Sequence, residues 1–340
     1  MISFINDYSE GAHPNILERM LKANLEQNTG YGNDEHSNRA KQYIKKELEN
    51  DNVDIHFIPG GTQTNLLVIS AFLRPHQCVI AAETGHVNVH ETGAIEATGH
   101  KVVTVPHQNG KLTPEDIRKV LAYHAGEHMV QPKMVYISDT TELGTIYSKA
   151  ELSAIRALCT QEGLLLFLDG ARLGSALTCR ENDLTLRDIA ELTDVFYIGG
   201  TKNGALLGEA LVICKEELKE DFRFLIKQRG AMMAKGFVIG MQFEVLFENG
   251  LYYELGTHAN RMAESLAKAL TEKGYPFYTP VCSNQLFPIL AEEDIQKLSK
   301  ECGFLIQESV DEDHSVIRLV TSWATSQQRV DQLIRYIQEM

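Results

Sequence analysis

The sequence contains no block of Lys or Arg, and its 46 acidic against 32 basic residues leave a formal charge of −14. That balance lacks the footprint of a nucleic-acid or anionic-membrane binder, so small solutes are the expected partners. No uninterrupted apolar run approaches the ~20 residues that span a bilayer. The opening Met1-Ile2-Ser3-Phe4-Ile5-Asn6-Asp7 lacks the basic start and apolar core of a secretory signal. Cysteines at 78, 159, 179, 214, 282 and 302 stand apart, with no Cys-x-x-Cys pair or adjoining His cluster. This argues against a zinc site and a disulfide framework and fits a reducing cytoplasm, with no metal expected. There is no internal repeat, low-complexity tract or long linker.

What is present is an ordinary globular composition, 44% hydrophobic over 340 residues, enough for one large core and a smaller appended unit. From about residue 53, short apolar runs alternate with amphipathic stretches, which predicts an α/β fold with a mostly parallel sheet covered by helices. The predicted strands are 54–58, 78–82, 101–106, 133–138, 164–168, 195–198 and 210–214. Leu164-Leu165-Leu166-Phe167-Leu168 is continuously apolar, the pattern of a central parallel strand buried on both faces. Thr113-Pro114-Glu115-Asp116 and Ser148 with Glu151 signal helix starts, and Gly163 a helix stop. After residue 215 the pattern predicts long helices near 216–228, 231–249 and 257–272, then strands at 285–290, 304–308 and 315–320 and a helix from Ser326. The expected division is a large unit over 1–249, with 1–15 packing elsewhere, and a small α+β unit over 250–340.

In such sheets ligands gather beyond the carboxyl ends of the strands, which directs attention to four polar segments. Pro59-Gly60-Gly61-Thr62-Gln63 opens a helix and reads either as a plain turn or as a phosphate cradle of backbone N–H groups. Asp169-Gly170-Ala171-Arg172 follows the most buried strand. Its acid and base could pair, or Asp169 could hold a protonated pyridine nitrogen and leave Arg172 free to grip a substrate carboxylate. Thr201-Lys202, flanked by glycines, is either a solvated lysine or one desolvated enough to form a Schiff base. His86, after Glu83-Thr84-Gly85, is a cap or a residue that stacks on a cofactor or moves a proton.

Taken in order, Asn6-Asp7, Thr29-Gly30-Tyr31-Gly32-Asn33-Asp34, Gly60-Gly61-Thr62-Gln63, His86 with Glu91, Asp169-Gly170-Ala171-Arg172, Thr201-Lys202 and Ile317-Arg318-Leu319-Val320-Thr321 resemble the low-specificity threonine aldolases. These are β-eliminating lyases of the fold-type I, aspartate aminotransferase-like class of pyridoxal 5'-phosphate enzymes, and the resemblance runs nearly end to end. It implies Lys202 as the Schiff-base lysine, Asp169 as partner of the pyridine nitrogen and His86 stacked on the ring. Gly60, Gly61, Thr62 and Thr201 would hold the phosphate, with Arg229 or Lys235 reaching across from a neighbouring subunit. Arg172 and Arg318 would bind the substrate carboxylate, Asn6 would stand by the substrate in place of a usual serine, and Tyr31 would enter a neighbouring subunit's site. Glu142 stands where many of these aldolases have a histidine near the substrate hydroxyl, and the segment after Lys202 lacks their Gly-x-Pro.

The resemblance implies cleavage of L-threonine or L-allo-threonine to glycine and acetaldehyde by a homodimer or homotetramer. The β-hydroxyl proton would go to His86, Glu142 or a bound water. The rival expectations are a lyase that removes a β-substituent from an aromatic or sulfur amino acid, a transaminase, and a non-catalytic pyridoxal-phosphate-binding regulator or carrier.

Overall fold

A computed structural model describes residues 2–340. The first strand, β1 (Ile2–Ser3), lies far from the central sheet that follows it. That sheet contains β2 (Asp54–Ile58), β3 (Gln77–Ala82), β4 (Lys101–Val105), β5 (Gln131–Ser138), β6 (Leu165–Asp169), β7 (Val195–Gly199) and β8 (Glu209–Ile213). Its spatial order is β2-β8-β7-β6-β5-β3-β4, with β8 alone antiparallel to its neighbours. This is the expected α/β class. Strands β6, β7 and β8 are buried along their whole length, because helices cover both faces and continuous apolar runs satisfy both.

Local chemistry places the covering helices. Capping boxes start Pro114–Tyr123 at Thr113 and Asp116, and Lys149–Glu162 at Ser148 and Glu151. Gly163 ends the latter at φ 63°, a left-handed conformation in which glycine carries no steric cost. A third box at Thr185 and Asp188 opens Leu186–Leu192. One apolar cluster fills each face of the sheet, including Ile137 and Leu168 on one side and Tyr136 and Phe167 on the other.

Three expected helices differ. The 216–228 helix is broken into a short 3-10 turn, Glu216–Leu218, and Phe222–Gln228, with Asp221 between them at φ 58°. The 231–249 helix begins only at Phe237, because 229–236 is held as a loop against Gly30 and Tyr31, whose N–H donates to the Ala234 carbonyl at 3.1 Å. The 257–272 helix starts earlier, at Leu251, and runs to Lys273.

Helix Leu251–Lys273 packs on Leu173–Thr178 beside the sheet and also on the terminal helix Gln327–Glu339. The remaining strands are β9 (Gln285–Leu286), β10 (Ile289–Ala291), β11 (Cys302–Gly303), β12 (Leu305–Ser309) and β13 (His314–Val320). The expected 285–290 strand is split into β9 and β10, with Pro288, which cannot donate to a ladder, between them. Strand β1 pairs in parallel with β11, and Phe4 joins the core of this C-terminal region. Residues 2–4 are therefore tied to the C-terminal region, and Asp7 follows shortly after.

Candidate active site

All the parallel strands, β2 to β7, end at one edge of the sheet. There they frame a cavity of about 770 Å³, within the size range of small-molecule sites. Gly60, Gly61, Thr62, His86, Glu142, Asp169, Arg172, Thr201, Lys202 and Arg318 all line it. Register explains part of this convergence, since Ser138 pairs with Asp169 across β5 and β6, and Gly199 pairs with Glu209 across β7 and β8. The paired glycines at the strand ends meet a close-packing demand. A Cβ on Gly170 would lie 1.9 Å from the Tyr197 carbonyl oxygen, and one on Gly199 would lie 2.4 Å from that of Ala171.

Asp169 lies at the floor of the cavity. Both of its oxygens accept tyrosine hydroxyls, Oδ2 from Tyr136 and Oδ1 from Tyr197. Asn65 donates to Oδ2 at 3.0 Å and the Ala171 N–H to Oδ1 at 3.0 Å. Burial alone would raise its pKa, but the neighbouring His86 and these donors outweigh burial and hold the carboxyl below its usual range. Asn65 also donates to Glu91 Oε1 at 2.7 Å, which sits 2.8 Å from His86 Nδ1. A hydrogen-bonded chain therefore runs His86-Glu91-Asn65-Asp169 and fixes the imidazole.

Lys202 lines the same cavity, where the Asp169 carboxylate acts on its amine. Burial, reinforced by the Arg172 guanidinium, lowers the amine's pKa against the pull of Asp7, Asp169 and Glu209. That shift is what an amine needs to act as a nucleophile near neutrality. Glu209 holds the adjoining turn by accepting the Gly200 N–H at 2.9 Å and the Thr201 hydroxyl at 2.8 Å, and burial pushes its carboxyl up to about 7. Helix Gly61–Phe72 opens toward the cavity with no side-chain cap, so its first-turn N–H groups are available to an anion.

Of the two sequence readings of Arg172, paired or free, the structure shows it paired, though with Asp7 instead of Asp169. Its Nε donates to Asp7 Oδ2 at 2.7 Å and its Nη2 to Oδ1 at 3.1 Å, a fork made possible by the crossing of the N-terminal segment. Arg318 has the opposite status, with its buried Nε lacking any hydrogen-bond partner among the described residues. Glu142 Oε1 accepts the His86 N–H at 2.8 Å and the Ser138 hydroxyl at 2.7 Å; burial and the nearby Asp169 charge raise its pKa.

Asn6 does not line the cavity, because its side-chain oxygen is used in its own turn, accepting the Tyr8 N–H at 3.0 Å and the Ser9 hydroxyl at 2.9 Å. Tyr31, Arg229 and Lys235 are exposed and likewise absent from its walls. Tyr31 is held on the outside by Arg223, which donates to its carbonyl at 3.1 Å.

The Beta-eliminating lyase family model matches residues 4–293. The chain belongs to that family. A low specificity L-threonine aldolase from a Pseudomonas species is 33% identical over 336 residues, covering 97% of this chain and 95% of the relative. A solved structure of Leishmania major threonine aldolase superposes with a TM-score of 0.98 at 51% identity, covering 100% of this chain and 99% of that one. Thermus thermophilus aspartate aminotransferase, 14% identical with a TM-score of 0.73, covers 100% of this chain and 91% of its own and shares the fold.

Pyridoxal 5'-phosphate is the cofactor of this beta-eliminating lyase. The donor set fits it: a buried carboxylate for a pyridinium, a buried amine for an aldehyde and an uncapped helix start for a phosphate. Sequence reasoning singled out Asp7 without giving it a role and missed Asn65, Tyr136, Tyr197 and Glu209. The tyrosines carried a signal, since a hydroxyl inside an apolar strand needs a buried partner.

Proposed function

We propose that this beta-eliminating lyase cleaves L-threonine, L-allo-threonine and related β-hydroxy-α-amino acids to glycine and an aldehyde. The observation that carries the assignment of roles is that Lys202 and Asp169 line one cavity together with Arg318, whose buried Nε has no hydrogen-bond partner among the described residues. Lys202 is the cofactor's covalent anchor, and Asp169, below its ordinary pKa, is the ionised partner of the pyridine nitrogen. Gly60, Gly61, Thr62 and Thr201 form the phosphate cradle. When bound, pyridoxal phosphate supplies a sink for the electron pair released as a bond to Cα breaks.

The chain's own groups do the rest. Arg318 takes the substrate carboxylate as a charge-assisted partner for its unsatisfied donors, while Arg172, locked by Asp7, adds positive potential alongside. His86, held by Glu91, would stack on the cofactor ring, and Glu142, which accepts the His86 N–H, would stand beside it near the substrate.

We further infer a homo-oligomer, a dimer at least and a tetramer by family likeness. The exposure of Tyr31, Arg229 and Lys235 outside their own chain's cavity supports use of these side chains by a neighbouring subunit. Six unpaired cysteines support a cytoplasmic setting.

Incubation of the cofactor-loaded protein with L-threonine, L-allo-threonine, D-threonine, serine and tyrosine, followed by product analysis, tests the reaction. Glycine and acetaldehyde from an L-threonine isomer are expected. Ammonia with a 2-oxo acid, or turnover only with an added 2-oxo acid, would contradict it.

A further inference from the structure

Resting on the aldolase reading above, the geometry points to His90 as the catalytic base that takes the proton from the substrate β-hydroxyl. His90 follows the short helix His86–Val89, where its N–H donates to the His86 carbonyl at 3.0 Å. One helical turn past His86, its ring stands 5.4 Å from the His86 ring, inclined at 57°, and lines the same cavity as Lys202, Glu142 and Arg318.

The carboxylates in that cavity are already committed. Asp169 is held by two tyrosines, Asn65 and a backbone N–H. Glu209 is fixed to the turn at Gly200 and Thr201. His86 Nδ1 is fixed to Glu91 and its Nε2 is open, but the role assigned to its ring above, stacking on the cofactor, would commit it to the cofactor rather than to the substrate hydroxyl. Glu142 already accepts two hydrogen bonds on one oxygen, and burial disfavours its ionised form. The His90 ring has no hydrogen-bond partner among the described residues. Burial, together with His86, Arg318, Lys202 and Arg172, lowers its affinity for a proton, so it presents a free-base nitrogen at neutral pH. A proton acceptor of this kind, in the same cavity wall as the proposed carboxylate-binding Arg318, is suitably sited for a hydroxyl two carbons from that carboxylate.

In the step, the O–H bond breaks as its proton passes to His90, and the oxygen's electron pair forms the C=O of acetaldehyde. The Cα–Cβ bond breaks and its pair stays with the glycine fragment until Cα takes a proton. His90 then releases its proton to water, so one proton leaves and one enters per turnover.

Two reactions of the holoenzyme separate this role from a structural one. Exchange of the glycine α-proton in deuterium oxide, followed by NMR, needs the anchoring lysine but involves no β-hydroxyl; cleavage of L-threonine or L-allo-threonine needs both. His90→Phe and His90→Gln are expected to exchange glycine as the unaltered protein does while cleavage falls about 100-fold or more. Cleavage at full rate in both variants, or exchange and cleavage falling together, would overturn the assignment. An unaltered protein that exchanges glycine yet cleaves neither threonine isomer would instead sink the aldolase reading, and the role of His90 with it.

Discussion

The carboxylate of Asp7 and the guanidinium of Arg172, 165 positions apart in sequence, meet in a two-pronged ion pair with a shorter contact of 2.7 Å. The pair ties the N-terminal segment, anchored through β1 to the C-terminal region, onto the end of β6 in the central sheet. Asp7 is buried, and Arg172 and Asn284 bind it well enough to outweigh burial and hold its pKa below the usual value. Removing one partner of a buried pair leaves the other charge uncompensated. Asp7→Asn is therefore expected to lower unfolding stability by about 3 kcal/mol, measured by denaturant titration of the holoenzyme. A change within experimental error would show that the strap contributes nothing.

Arg318→Met removes the guanidinium whose buried Nε has no hydrogen-bond partner among the described residues. The threonine kcat/KM is expected to fall about 10- to 100-fold, mainly through KM, with the cofactor absorbance band unchanged. Steady-state kinetics beside a cofactor spectrum checks both parts.

Glu142→Gln keeps the shape of the side chain and replaces a carboxyl that can exchange a proton with an amide that cannot, next to His86 and Ser138. The ratio of kcat/KM for L-threonine to that for L-allo-threonine is expected to shift, while cofactor affinity stays as it was. Equal loss of both would remove Glu142 from the substrate's surroundings.

Glu209 gives a pH signature. Its folded pKa, about 7, lies above the ordinary 4.5, so the folded state retains a proton that the unfolded state has lost. The resulting stabilisation is full below about pH 4.5 and is lost as pH rises through about 7. Glu209→Gln should abolish this component, which amounts to about 3 kcal/mol across the window. Unfolding free energies of the two proteins between pH 4 and pH 8 give the comparison, and parallel curves would refute it.

Much of this architecture can be read directly from residue patterns. The continuous apolar run at 164–168 and the punctuation at Thr113, Ser148 and Gly163 correspond to observed elements, because burial on two faces and local capping act over a few residues. The polar segments after the strands converge on one cavity for the same topological reason. What is not legible depends on distant partners. The hydroxyls of Tyr136 and Tyr197 reach Asp169 from neighbouring strands, and Asp7 arrives only through pairing of β1 with β11. Residues 231–236 have a helical pattern, yet packing against Gly30 and Tyr31 holds them as a loop. Asn6 matches a family position, but its side chain is spent on the turn that delivers Asp7.

The anchoring of the cofactor at Lys202 is tested most directly by borohydride reduction of the yellow, cofactor-loaded protein, followed by proteolysis and mass mapping. A pyridoxyl group on Lys202, absent from Lys202→Ala, is the expected result. Label on a different lysine, or on none, would contradict it.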